Sequence, residues 1–156
     1  MLNSFQHLER SRNKFGMTRN KYMLPKENRL AKVRDFNLII KHGRWTNSQF
    51  LDIKTLDLAK NQNYFPPRED PDKFKNQLKI AFTVGLKISK SAVKRNRAKR
   101  QLREVVRLLL KDSQLKTGYY LLFVARPGIL EKDYAEISEE IKLLLSKANI
   151  LSVKNR

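Results

Sequence analysis

Apolar residues fall into six groups along this 156-residue chain, and their spacing predicts three helices and three strands. Phe36, Ile39 and Ile40 stand at i, i+3 and i+4 with Gly43 just beyond, which predicts a short amphipathic helix over 34–42. Asp35 near its start and Lys41 near its end suit the helix dipole. Phe50-Leu51-Asp52-Ile53-Lys54-Thr55-Leu56 carries β-branched residues among apolar ones and reads as a strand. Leu78, Ile80, Phe82 and Val84 alternate with Lys79, Ala81 and Thr83, the pattern of a half-buried strand. Ala92, Ala98, Leu102, Val105, Val106, Leu109 and Leu110 gather on one side at 100° per residue, giving a helix from about 91 to 111. Tyr119–Ala125 is almost uninterruptedly apolar, as expected of a strand buried on both faces in the middle of a sheet. Arg126-Pro127-Gly128 stops it. Asp133 then opens a last helix to about 147, with Ile137, Ile141, Leu144 and Leu145 on one face. The order is helix, strand, strand, long helix, strand, helix, with no internal repeat. It predicts a mixed α and β domain around a small sheet.

Between these groups lie segments with no usable period. Residues 1–23 are polar and basic with apolar residues scattered singly, and read as an N-terminal arm. A folded domain is expected over 24–150, followed by a tail, 151–156. Pro25 marks a turn or helix start near its beginning. Residues 59–76 hold three prolines and several charges, and read as a long loop outside the core.

Charge narrows the class of partner. The chain has 34 Lys and Arg against 15 Asp and Glu, a formal net charge of +19, and no cysteine. Disulfides, thiolate metal sites and cysteine nucleophiles are thereby excluded. A surface so cationic attracts polyanions, either nucleic acid or an anionic membrane. The longest apolar run, 119–125, falls far short of the roughly 20 residues that span a bilayer. The first residues lack the apolar region of a secretory signal, although their basic, serine-containing character leaves an organelle transit peptide as a minor alternative. The expectation is a soluble, cytoplasmic protein without a membrane partner.

Nearly half of the excess charge sits on residues 87–111, the predicted long helix and the few residues before it. Residues 87–111 contain ten Lys or Arg and one acid, Glu104. Lys99, Arg103, Asn96, Arg107 and Arg100 fill one arc beside the apolar stripe, with Arg97 and Lys94 further round. Such a face could simply be solvated. Yet like charges at i, i+4, as in Arg95/Lys99/Arg103/Arg107, cost a few tenths of a kcal/mol per pair unless an anion neutralises them. Arg binds phosphate through a planar fork and Lys adds point charge, so phosphates are the natural counterpart. A membrane-surface helix would need its apolar stripe exposed, and here that stripe is required for packing on the sheet.

Ala92-Val93-x-Arg95-Asn96-Arg97-x-Lys99-Arg100-x-x-Arg103-Glu104 resembles the RNR signature of the bacterial ribonuclease P protein family. Leu24-Pro25-Lys26-Glu27-Asn28-Arg29-Leu30, Asp35-Phe36 and Lys41-His42-Gly43 are similar to its opening, and the likeness spans about 24–147. The resemblance implies an α+β fold, a two-layer α/β sandwich of the ribosomal protein S5 domain 2-like type with a left-handed βαβ crossover. It implies partnership with a catalytic RNA subunit and removal of the 5′ leader from precursor tRNA, with Mg2+ needed by the ribonucleoprotein rather than held by the protein alone. Carried over by position, the RNA-facing residues are Arg95, Asn96, Arg97, Lys99, Arg100 and Arg103. The charge pattern extends that set to Lys90, Lys94 and Arg107. The implied leader-binding cleft is lined by Lys32, Phe36, Ile40 and Ile53, with Asn28 and Arg29 as possible contributors. Ile40 and Ile53 are aliphatic where the family tends to carry aromatics. The 85–92 connection is shorter than usual for the family, while 59–76 and the arm are additions.

No protein active site is legible. His7 and His42 are isolated, and Glu69, Asp70 and Asp72 lie in the proline-rich segment, where a solvated loop competes with a metal cluster. No protein partner is evident. Two rival functions stay open at this level: a ribosomal or ribosome-assembly RNA binder without a nuclease role, and a metal-dependent nuclease acting alone.

Overall fold

A computed structural model of the chain describes residues 23–65 and 71–152; the basic arm falls almost wholly outside these, as do Glu69 and Asp70. Four strands, β1 (Arg44–Asn47), β2 (Leu51–Asp57), β3 (Leu78–Thr83) and β4 (Tyr119–Ala125), form one sheet in the order β1-β2-β4-β3. β1 and β2 pair antiparallel, as do β2 and β4, whereas β3 and β4 run parallel. The continuous apolar run of β4 thus lies between two neighbours, as its composition requires. The helices are α1 (Val33–His42), α2 (Pro71–Asn76), α3 (Ala92–Lys111) and α4 (Tyr134–Lys147). α3 is the crossover that joins the parallel pair.

Strand alternation sorts the core into two compartments. Leu51, Ile53, Leu121, Phe123 and Ala125 point to one face, where they pack with Leu102, Val105, Val106 and Leu109 of α3 and with Ile137, Ile141, Leu144 and Leu145 of α4. Leu56, Tyr120, Leu122 and Ala81 point to the other, beneath Ile39 of α1, with Leu30 and Phe65. Both long helices are well capped. The Lys94 amide faces Ser91 Oγ at the start of α3. Asp133 and Glu136 form a reciprocal capping box at the start of α4, with N–H to carboxylate distances of 2.9 and 3.0 Å.

Three expectations need correction. β1 has no strand signature: it is four residues long and largely exposed. Segment 59–76 is more than a loop, since it holds a 3-10 turn (Gln62–Tyr64) and α2, and buries Phe65 against the second core. Tyr120 meets Phe65 edge-on at 6.1 Å. Pairing also runs past the expected domain end: Leu151 bridges Leu115, and the Ser152 amide donates to the Gln114 carbonyl at 2.7 Å.

Candidate nucleic-acid interface

The basic stretch begins where β3 ends. After Thr83 the chain makes one turn closed by the Ile88 amide on the Gly85 carbonyl, at 3.0 Å, and enters α3 behind Ser91. Ala98, Leu102, Val105, Val106 and Leu109 hold one side of the helix in the core. The geometry of the helix therefore turns the remaining positions outward. Lys90, Lys94, Asn96, Arg97 and Arg100 are exposed, and Arg95, Lys99 and Arg103 are half-buried along the flanks. Within Arg95, Nε is buried without a hydrogen-bond partner. Among the described residues this is a dense array of cations with few acids near it.

Arg107 differs from the others. Its guanidinium donates to both oxygens of Glu104, at 3.0 and 2.8 Å. The pair also faces α4. Partial burial raises the Tyr134 phenol above its ordinary value, Glu104 adds to that rise, and Arg107 opposes it. The expected RNA-facing set is therefore split, with Arg107 already engaged in an i,i+3 pair within α3.

On the other face of the sheet α1 leaves a strip of strand residues only partly covered, and this strip defines the groove. Ile39 is fully buried and Asp35 is buried one turn before it, while Phe36 and Ile40, three residues before and one after Ile39, sit to one side. Phe36 is half-buried against the second core and Ile40 is 55% exposed. Asp35 is held between Arg34 at 3.2 Å and Lys79 at 3.8 Å, which anchors the start of α1 to β3. At the far end, Lys54 of β2 is only 7% exposed and its ammonium donates to the Ile40 carbonyl. The opposite flank of α1 is braced by the 59–65 segment, where Tyr64 stacks on His42 at 3.9 Å and Arg34 lies over Phe65 at 5.4 Å.

Register defines the groove floor. Thr83, Val124, Asp52 and Asn47 form one row across the sheet on the α1 side. None of the four is fully buried. Phe36 and Ile40 form the wall. Arg126 closes one end: its guanidinium lies 3.6 Å from Asp52 and donates to the Ser48 carbonyl at 2.9 Å. This row sits at the carboxyl ends of β3 and β4, and the turn into α3 leaves from the same end. The groove and the basic start of α3 thus share one end of the sheet.

Two of the expected cleft residues take different places. Lys32 is exposed at the N-cap of α1. Ile53 is 0% exposed and belongs to the core beneath α3 and α4, on the face away from α1. Its assignment to the cleft is corrected: parity along β2 gives the groove side to Asp52 and Lys54. Asn28 and Arg29 hold backbone, donating to the Leu78 carbonyl at 2.8 Å and to the Leu24 carbonyl at 2.8 Å. They fix segment 24–30 along the free edge of β3, where Arg29 bridges Ile80. Asp72 is ion-paired with Lys75 at 3.4 Å. Among the described residues, no three His, Asp or Glu side chains converge as metal ligands would. No helix among these residues is long and apolar enough to cross a membrane.

Comparison with known proteins gives the family and the fold. The family model described as Ribonuclease P matches residues 24–149. A ribonuclease P protein component from a Cyanothece species is 39% identical over 138 residues, spanning 83% of this chain and 98% of that one. The protein of that name from Clostridium botulinum (strain Loch Maree) is 34% identical over 125 residues, spanning 80% and 97%. Among solved structures, the Staphylococcus aureus RNase P protein superposes with a TM-score of 0.63 at 20% identity, covering 81% of this chain and all of that one. The Thermotoga maritima RNase P protein gives a TM-score of 0.56 at 22% identity, covering 76% and 96%. The chain belongs to the ribonuclease P protein component family.

Proposed function

We propose that this chain, as the protein subunit of ribonuclease P, docks the start of α3 on the catalytic RNA and holds the 5′ leader of precursor tRNA in the groove beside α1. The observation that carries this reading is the shared end of the sheet, where an exposed cationic helix start lies on one face and a half-apolar groove on the other. Lys90, Lys94, Arg97 and Arg100 meet phosphates, and the half-buried Arg95, Lys99 and Arg103 add directed contacts from the helix flanks. An unpaired leader offers bases that stack on Phe36 and pack on Ile40.

The division of labour follows from the chemistry of the side chains. Phosphoryl transfer needs positioned metal ions at the scissile phosphate. The described residues offer no cluster of carboxylates and imidazoles for them. In this reading Mg2+ is held by the phosphates of the RNA subunit, and the protein contributes affinity, charge neutralisation and alignment. Its place of work is the cytoplasm.

Cleavage of precursor tRNA by the RNA subunit at low Mg2+, with and without purified protein, tests this reading. Wild-type protein is expected to stimulate leader removal. A folded Arg95→Ala/Arg97→Ala/Lys99→Ala variant is expected to lose that stimulation. Equal stimulation by the variant would contradict the assignment of α3.

A further inference from the structure

We propose that Trp45, propped on the buried Lys54, is a stacking site for one unpaired base of single-stranded RNA at the edge-strand end of the groove. The proposal rests on the reading that the groove takes the leader, and adds to it a residue outside the family signature.

Trp45 is the only tryptophan of the chain. It sits on the four-residue edge strand β1, opposite Lys54 in register, and is 48% exposed. A lone exposed apolar residue needs no special explanation. What distinguishes this one is its support. The Lys54 ammonium lies 4.9 Å from the centre of the indole ring, a cation–π contact. The same ammonium is held by the Ile40 carbonyl in the last turn of α1. The ring is thus fixed relative to both sheet and helix, and a large part of it is left open to solvent.

Its position matches the groove. Trp45, Lys54, Leu122 and Ala81 form one row across the sheet, next to the floor row of Asn47, Asp52, Val124 and Thr83. Lys54, Leu122 and Ala81 are buried, so Trp45 is the exposed end of its row. Ile40, 55% exposed, stands nearby because its own carbonyl accepts the hydrogen bond from the Lys54 ammonium. An aromatic platform whose orientation is fixed in advance, in a chain of net charge +19, suits a nucleobase and its phosphate better than a neutral apolar ligand. Every base has a π-face, so the site reads unpaired character more than sequence.

Because Trp45 is the sole tryptophan, its emission reports directly on the site. The protein is assembled with the RNA subunit and titrated with precursor tRNA carrying a ten-nucleotide leader, and in parallel with matured tRNA. Quenching is expected with precursor alone, at the midpoint given by a label on the leader. Trp45→Ala should weaken precursor binding about fivefold or more without changing affinity for matured tRNA, while Trp45→Phe stays within about twofold of wild type. Unchanged emission at saturating precursor, or equal quenching by matured tRNA, overturns the Trp45 site. If wild-type complex binds precursor and matured tRNA equally tightly, the groove reading itself falls, an outcome separate from failure at Trp45.

Discussion

Gly43 lies so close to Lys54 that a Cβ added to it would stand 2.8 Å from Lys54 Cγ, and would also collide with the Ile39 carbonyl. The backbone here is ordinary, with φ of −71°, so glycine is required by this close approach and not by conformation. It lets the Lys54 stem run beneath the end of α1 to reach the Ile40 carbonyl. One small residue therefore couples helix, sheet and groove. Gly43→Ala is expected to destabilise the fold by about 1–3 kcal/mol, the usual cost of overpacking, as read by urea unfolding.

Asp35 is fully buried with cations on two sides, Arg34 and Lys79. Removing the carboxylate loses charge-assisted contacts and leaves the root of α1 unanchored. Asp35→Ala should cost about 1–3 kcal/mol in unfolding free energy. It should also lower hydrogen-exchange protection in α1 before protection in β4 changes.

Ile40 and Ile53 differ in location, and their alanine variants should separate accordingly. Ile53→Ala empties space in the core under α3 and α4 and should cost about 2–5 kcal/mol, with little specific effect on leader affinity once folded. Ile40→Ala removes an exposed side chain and should leave the melting temperature nearly unchanged. Its effect should instead appear as weaker binding of precursor relative to matured tRNA by the assembled ribonucleoprotein.

Glu104 and Arg107 make their pair inside the protein, near Tyr134. Arg107→Ala should thus leave the salt dependence of RNA binding close to wild type. The raised Tyr134 phenol carries its own signature. Folded and unfolded forms are both protonated well below pH 10, and above it the unfolded form loses its proton first. Stability should therefore fall as pH rises beyond about 10, and Tyr134→Phe should reduce that alkaline loss.

The long elements were legible because their patterns have one dominant period. α3 and α4 each keep an apolar stripe over three or more turns, and β4 is apolar throughout. β1 was not legible: Arg44-Trp45-Thr46-Asn47 offers one apolar residue, and its pairing depends on β2 lying alongside. Tyr64-Phe65, an aromatic pair amid prolines, was the available signal that 59–76 contributes to the core. The face of Ile53 was hidden because β2 is covered on both sides, so parity is set by register with β4. Nothing in the sequence marks Lys54 as buried, and only the approach of Gly43, Ile40 and Trp45 explains its burial. The basic array of α3 was visible because like charges at helical spacing have few uses without an anion. That Arg107 is paired was hidden in the sequence by its similarity to the other arginines.

The central claim is that the exposed cations of α3 neutralise RNA phosphates, and salt titration tests it most directly. Affinity of the full-length protein for the RNA subunit should fall linearly in log–log form as salt rises. Each phosphate contact contributes about 0.7 to 0.9 to the magnitude of the slope. A folded Lys94→Ala/Arg97→Ala/Arg100→Ala variant should therefore show a slope shallower by about 2 to 3. An unchanged slope in that variant would contradict the account.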